Sequence, residues 1–197
     1  MARQLWKLQS SFYHLFRSNP VSARILHQEN EAIKILLKSV PEKSIGRGLD
    51  IGSGRGNSLE LVINSEADWV AIDYSPQMIR RCRAQYQEVP FILSDAREMP
   101  FKGDSFDLIL AVGISEYLED LAQFLQEIWR LIKPGGYIIL TLAPPHVLNY
   151  FRRMIGHRIY PNKEVDLRES LIHISLTIIK TSKTLLQNQY LLNKEER

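Results

Sequence analysis

From residue 48 the chain alternates short apolar runs with stretches of helical periodicity. The runs occupy residues 48–51, 69–73, 91–93, 106–112 and 137–142, and helices are expected between them at 57–64, 76–87 and 121–132. Runs so short and so continuously apolar read as strands buried on both faces. Strands separated by helices must be joined by right-handed crossovers, which builds a doubly wound, mostly parallel sheet with helices on both faces. Beyond Ala143-Pro144-Pro145 the pattern loosens. A helix is expected at 162–174, then two strands at 176–180 and 189–192 close enough to pair as a terminal antiparallel hairpin, with Thr184-Leu185-Leu186 a further strand candidate. Ahead of the alternating region, Leu5, Leu8, Phe12, Leu15 and Phe16 form one face of an amphipathic helix that Asn19-Pro20 ends. Ser22 then reads as the cap of a second helix, with Ile25, Leu26, Ile33, Leu36 and Leu37 on its apolar side and an end near Ser39-Val40-Pro41.

The first strand runs into Asp50-Ile51-Gly52-Ser53-Gly54-Arg55-Gly56-Asn57. Glycines at such a junction let the backbone turn tightly and approach a ligand with no Cβ in the way, although a tight connection with no ligand is the plain alternative. A dinucleotide-binding turn needs G-x-G-x-x-G, and Asn57 stands where its third glycine belongs, which counts against NAD and FAD. Asp73 ends the second strand, where a carboxylate can accept both hydroxyls of a ribose. Asp95 follows the third strand and can accept from an adenine amino group. Asp50, Asp73 and Asp95 thus stand at the carboxyl ends of three successive strands, the side on which open α/β sheets bind ligands.

With those residues in place the chain resembles the class I S-adenosylmethionine-dependent methyltransferases, in the branch that acts on small molecules. The matching segments are 49–56, 71–78, 94–101, 106–110 and 131–137, in the family's order and spacing. The resemblance implies a Rossmann-like sheet of seven strands, the last antiparallel. It implies S-adenosylmethionine as cofactor and S-adenosylhomocysteine as product. Gly52, Gly54 and Gly56 would line the methionyl part, and Asp50 would orient its amino group with help from main-chain carbonyls near Val112 and Gly113. Asp73 would hold the ribose, Tyr74 and Met78 would flank the adenosine, and Asp95 and Ala96 would read the adenine edge. Lys133-Pro134-Gly135-Gly136 would turn the chain into the fifth strand. The whole chain then reads as one domain: a helical cover over 1–47, folding over the crevice as a lid, a cofactor-binding core over 48–142, and an acceptor-side segment with the hairpin over 143–197.

A sulfonium methyl donor is already electrophilic, so the protein has mainly to align the acceptor and exclude water; positioning of that kind supplies roughly 7–11 kcal/mol. A base is needed only where the acceptor carries a proton to be removed. Candidates on the acceptor side are His146, Glu116, Tyr117, Tyr13 and His14, with His146 first because imidazole titrates near neutrality. Glu116-Tyr117 stands where many family members carry histidines. No metal is implied, since Ala111-Val112-Gly113-Ile114-Ser115 holds no ligand set, and Cys82 reads as a packing residue. The expected reaction is methyl transfer to an O, N or C atom of a small, anionic or lipophilic acceptor. The alternatives are a non-catalytic cofactor-binding subunit of the same fold and an RNA or protein methyltransferase.

Charge sharpens the partner reading. The net +3 divides into +5 over residues 1–47, −6 over 48–150 and +4 over 151–197. The acidic centre coincides with the expected cofactor site, and Arg152, Arg153, His157 and Arg158 sit among Tyr150, Phe151, Met154 and Tyr160. A small-molecule acceptor ranks first among partners, then peripheral contact with an anionic membrane; four separated cations make no dense stripe for nucleic acid. The sequence leaves the oligomeric state open. One cysteine, no apolar stretch of spanning length and no secretory signal point to a cytoplasmic setting.

Overall fold

The structure, a computed structural model, describes residues 20–41, 45–145 and 158–195. Helix α1 (Pro20–Leu37) precedes β1 (Arg47–Ile51), β2 (Asp68–Asp73), α2 (Pro76–Gln85), β3 (Phe91–Leu93) and β4 (Phe106–Ala111). Then follow α3 (Leu121–Leu131), β5 (Ile132–Leu142), α4 (Glu164–Ile172), β6 (Leu176–Lys183) and β7 (Asn188–Lys194). The seven strands form one sheet in the order β3-β2-β1-β4-β5-β7-β6. All neighbours are parallel except β7, which runs antiparallel to both β5 and β6. The terminal hairpin therefore closes the sheet, with Thr184 to Leu186 in its connection rather than in a strand.

Alternation along the strands divides the core between the two faces of the sheet. Leu49, Ile51, Val70, Ile72, Ile109, Ile138 and Leu140 meet α3 and α4 on one face. Ala71, Leu108, Leu110, Ile139 and Leu191 meet Ile33 and Leu36 of α1 and Ile79 and Cys82 of α2 on the other. Four of the five residues of β1 and five of the six of β4 are buried, which is why these runs lack polar alternation. The part of the N-terminal segment that α1 represents thus lies against the sheet at β5, β7 and β6.

Helix ends follow local chemistry. The Asp120 side chain accepts from Gln123 N and starts α3, whose Leu121, Phe124, Leu125, Ile128 and Leu131 form a single buried stripe. Ser75 caps α2 in the same way, with Pro76 at its first position, where the missing N–H costs nothing. Three expectations change. Residues 57–64 do not form an α-helix; they make turns and one 3-10 turn at Leu59–Leu61. Two glycines, at 54 and 56, hold positive φ just before it, and that breaks the regular helical path. Helix α1 opens at Pro20, two residues ahead of the expected cap at Ser22. The segment Lys133 to Gly136 belongs to β5 as an excursion: Phe106 pairs Ile132 and Leu108 already pairs Tyr137, with Gly135 at φ 74° inside the extra loop. The helix expected over residues 3–17 lies outside the described residues.

Phe124 is fully buried in the middle of the α3 stripe. Phe124→Ala should lower stability by about 3–5 kcal/mol, read as a shift of the denaturation midpoint with the slope unchanged.

Candidate functional site

Strand order reverses between β1 and β4, so the connections that leave these neighbouring strands diverge and open a crevice at their carboxyl ends. Asp50 near the end of β1, the glycine turn after it, and Val112-Gly113 after β4 stand at that point. Asp73 ends β2, and Asp95 and Ala96 follow β3. The topology thus brings the three aspartates expected from the sequence to one edge of the sheet.

The glycine turn is built from backbone hydrogen bonds and positive φ angles. Gly52 N and Ser53 N both donate to Ile72 O, at 2.9 and 3.0 Å, and Gly56 N donates to Ser53 O at 2.7 Å. Gly52, Gly54 and Gly56 have φ of 70°, 54° and 82°. A Cβ on Gly56 would strike the Tyr86 ring, whereas a Cβ on Gly54 would meet only Gly52 O, at 3.7 Å. The third glycine is therefore demanded by packing as well as by φ. At Gly54 the backbone faces open space, as close ligand approach requires.

Asp73 braces this turn. Its Oδ2 accepts from Gly54 N at 2.8 Å and its Oδ1 from Ser75 N at 2.7 Å. Burial pushes its carboxyl up, and the two N–H donors oppose that shift. Asp50 is fully buried, with Oδ1 accepting from Ser58 Oγ at 2.8 Å. Its Oδ2 has no hydrogen-bond partner among the described residues. Burial pushes the Asp50 carboxyl up to about 7; the Ser58 hydroxyl opposes this and the charge on Asp73 adds to it. A buried carboxylate oxygen without a donor is the group an ammonium would satisfy. The donor set therefore fits an amino-acid-bearing cationic ligand: Asp50 for its ammonium, the open Gly54 backbone for close approach, and Asp73, whose oxygens retain lone pairs, for ribose hydroxyls.

Asp95 is placed differently from its neighbours. The Arg97 side chain holds it through two hydrogen bonds, Nε to Oδ1 at 3.0 Å and Nη2 to Oδ2 at 2.6 Å, and Arg97 N adds a third at 2.9 Å. These contacts keep the Asp95 carboxyl below its usual range. Ala96 is buried beside it. The following loop is pinned to α3: Glu127 accepts from Met99 N at 2.8 Å, and Arg130 pairs with Glu127 and donates to Phe101 O at 2.8 Å. Of the two residues expected to flank an adenosine, Tyr74 is 60% exposed on the rim and Met78 is 4% exposed, inside.

On the far side of the crevice, Gly113 has φ 68° and its N–H donates to Thr141 Oγ1 at 2.8 Å. Ser115 Oγ donates to Thr141 O at 2.8 Å. Glu116 is buried in the 3-10 turn Ser115–Tyr117, its carbonyl accepting from Tyr160 N at 2.7 Å, and Tyr117 is half-buried beside it. His146, Tyr13, His14, Arg152, Arg153 and His157 lie outside the described residues. Cys82 lies beneath the glycine turn, Sγ donating to Gly54 O at 3.2 Å, and burial pushes its thiol up to about 11. It is protonated at neutral pH and acts as a donor, not a nucleophile. Ser58, Arg97 and Thr141 are the site residues that sequence reasoning missed. Thr141 had a signal, a lone hydroxyl inside the apolar run 137–142; Ser58 and Arg97 are ordinary polar residues whose roles depend on the fold.

Among the described residues no helix is long and apolar enough to cross a membrane, and no group of three or more His, Cys, Asp or Glu is placed to hold a metal ion.

Known proteins share sequence with the segment that carries this geometry. Residues 49–140 match the family described as "Methyltransferase domain". A demethylmenaquinone methyltransferase of Clavibacter sepedonicus is 37% identical over 98 residues, 48% of this chain and 40% of that protein. A malonyl-[acyl-carrier protein] O-methyltransferase of Enterobacter lignolyticus is 26% identical over 139 residues, 69% of this chain and 55% of that protein. The chain spans between 22% and 55% of the length of the curated relatives it matches. Magnesium protoporphyrin IX methyltransferase from Synechocystis PCC 6803, solved with S-adenosylhomocysteine bound, superposes with a TM-score of 0.73 at 19% identity, covering 94% of this chain and 95% of that one. The segment that carries the glycine turn and the three aspartates thus matches a methyltransferase domain, and these similarities support a class I S-adenosylmethionine-dependent methyltransferase.

Proposed function

We propose that this chain transfers a methyl group from S-adenosylmethionine to an O, N or C atom of a small molecule. The observation that carries the reading is the donorless, fully buried Asp50 Oδ2 beneath a glycine turn whose Gly54 backbone is open and braced by Asp73. When bound, the cofactor supplies an electrophilic methyl on a sulfonium. The protein's part is binding and alignment. Asp50 takes the ammonium, directly or through one water. Asp73 accepts from the ribose hydroxyls while it keeps the turn closed. Ala96 and Asp95 meet the adenine edge, with Tyr74 and Met78 on either side, and Val112 and Gly113 border the methionyl end. Glu116, Tyr117 and His146 stand on the acceptor side as candidates for holding or accepting an acceptor proton. The curated relatives' printed substrates, a demethylmenaquinone and an acyl-carrier-bound malonyl group, support a small lipophilic or anionic acceptor.

Two measurements test this. Asp73→Ala removes the brace and the ribose acceptor together, so calorimetric affinity for S-adenosylhomocysteine should fall at least about a hundredfold, equivalent to the loss of two to three charge-assisted hydrogen bonds. Wild-type protein that shows no binding at high micromolar S-adenosylhomocysteine overturns the assignment.

Asp50 links binding to pH. Its folded value near 7 lies above the unfolded carboxylate near 4, so charging it costs folded stability. That stability is intact below about pH 4 and is lost as pH rises towards about 7. An ammonium ligand favours the charged form, so affinity should rise by up to about tenfold per pH unit between about pH 5 and pH 7 and then level off. Asp50→Asn should bind weakly with a flat profile, and its ligand-free form should melt above the wild type at pH 8 but not at pH 4.

A further inference from the structure

The glycine turn is held by side chains of α2 as well as by its own backbone. Cys82 and Tyr86 stand one helical turn apart at the end of α2, so both side chains leave the same face. Each reaches a carbonyl of the turn: Cys82 Sγ donates to Gly54 O at 3.2 Å, and Tyr86 Oη donates to Gly56 O at 3.3 Å. Gln85 Nε2 donates to the Tyr86 hydroxyl at 3.1 Å, which leaves that hydroxyl's own proton for Gly56 O. Gly56 O accepts from Glu60 N as well, at 2.8 Å.

The two peptides held in this way are the ones that local chain chemistry determines least. Glycine takes positive and negative φ about equally, so the peptide planes that follow Gly54 and Gly56 rotate at little cost unless a neighbour fixes them. A trans peptide points its C=O and its N–H in opposite directions. With the oxygens of Gly54 and Gly56 drawn to α2, the N–H groups of Arg55 and Asn57 face away from it, and neither donates a hydrogen bond among the described residues. Helix α2 packs on β2 and β3, whereas a Cβ on Gly52 would meet the Ile114 side chain, after β4, at 2.9 Å. The side of the turn away from α2 is therefore the side of the crevice. An amino acid whose ammonium sits on Asp50 carries its carboxylate one carbon away, beside the same turn. Backbone N–H groups suit that anion, and carbonyl oxygens in their place would repel it.

We propose that Cys82 and Tyr86 are positioning residues: by fixing the carbonyls of Gly54 and Gly56 on the α2 side, they keep the Arg55 and Asn57 N–H groups turned towards the carboxylate at the amino-acid end of the ligand. This rests on the reading of the crevice as an S-adenosylmethionine site and deepens it. Neither side chain touches the ligand; both act through the turn.

The test is calorimetric titration of the full chain with S-adenosylhomocysteine and with its decarboxylated analogue, S-adenosyl-3-thiopropylamine, which keeps the ammonium and the nucleoside. The wild type should prefer S-adenosylhomocysteine by at least about tenfold. Tyr86→Phe keeps the ring against Gly56 and removes only the donor, and it should cut that preference at least about threefold. Cys82→Ala with Tyr86→Phe should reduce it to less than about twofold, while affinity for the decarboxylated analogue stays within about twofold of wild type. Val89→Ala thins the packing beside α2 without touching the turn and should leave the preference intact. A preference retained in both Tyr86→Phe and the double variant, an equal loss of affinity for the two ligands, a preference lost in Val89→Ala, or a wild type that binds the two ligands alike overturns the proposal. A wild type that binds neither ligand overturns the methyl-transfer reading on which it stands.

Discussion

The molecule depends on the reversal of strand order between β1 and β4. In a parallel sheet every backbone group of a central strand is spent on its neighbours, so ligands cannot be held by the strands themselves. Only where two adjacent strands send their connections to opposite sides does a gap open over the sheet edge. Here that gap lies between the glycine turn and Gly113, and both of its walls are tied to neighbouring strands. Gly52 and Ser53 hang from Ile72 O of β2, and Gly113 hangs from Thr141 of β5. The crevice is therefore as rigid as the four central strands, and rigidity of this kind is what alignment-limited chemistry needs.

A second theme is the cost of the acidic end. Asp50 feels the charge on Asp73, and burial pushes both carboxyls up. Asp73 recovers part of that cost from two backbone N–H groups, while Asp50 has one hydroxyl. Asp50 thus keeps the larger share of that cost, a departure from the rule that buried polar groups are paired of the kind found at functional sites. Asp95 is the counter-example on the same edge: held by Arg97, it has already found its cation.

Much of this was legible in the sequence because it depends on period and spacing. The five parallel strands, the hairpin after residue 175 and the convergence of Asp50, Asp73 and Asp95 follow from apolar runs and from where carboxylates fall in them. What was not legible depends on three-dimensional neighbours. Nothing local marks Ser58 as the partner of Asp50, eight residues away across a turn. The expected helix over 57–64 failed because helical periodicity cannot register that positive φ at Gly54 and Gly56 has already bent the backbone. Lys133 to Gly136 was read as a turn because its Pro-Gly-Gly composition is that of a turn. The strand absorbs it as a bulge because Phe106 and Leu108 both still find partners on either side.

The place of β7 has a consequence for how the chain comes into being. This strand is inserted between β5 and β6, and near its end Lys194 is buried with Nζ donating to Asp104 Oδ1, Trp129 O and Ile132 O while facing the Trp129 ring at 4.4 Å. Until residue 194 has been synthesised, β5 has an open edge, β6 has no neighbour, and the corner where α3 meets β5 has no cation. A nascent chain on the ribosome can build the parallel strands early, yet it must keep one sheet edge unpaired until β7 emerges. During that interval, chaperone cover for β5 matters most.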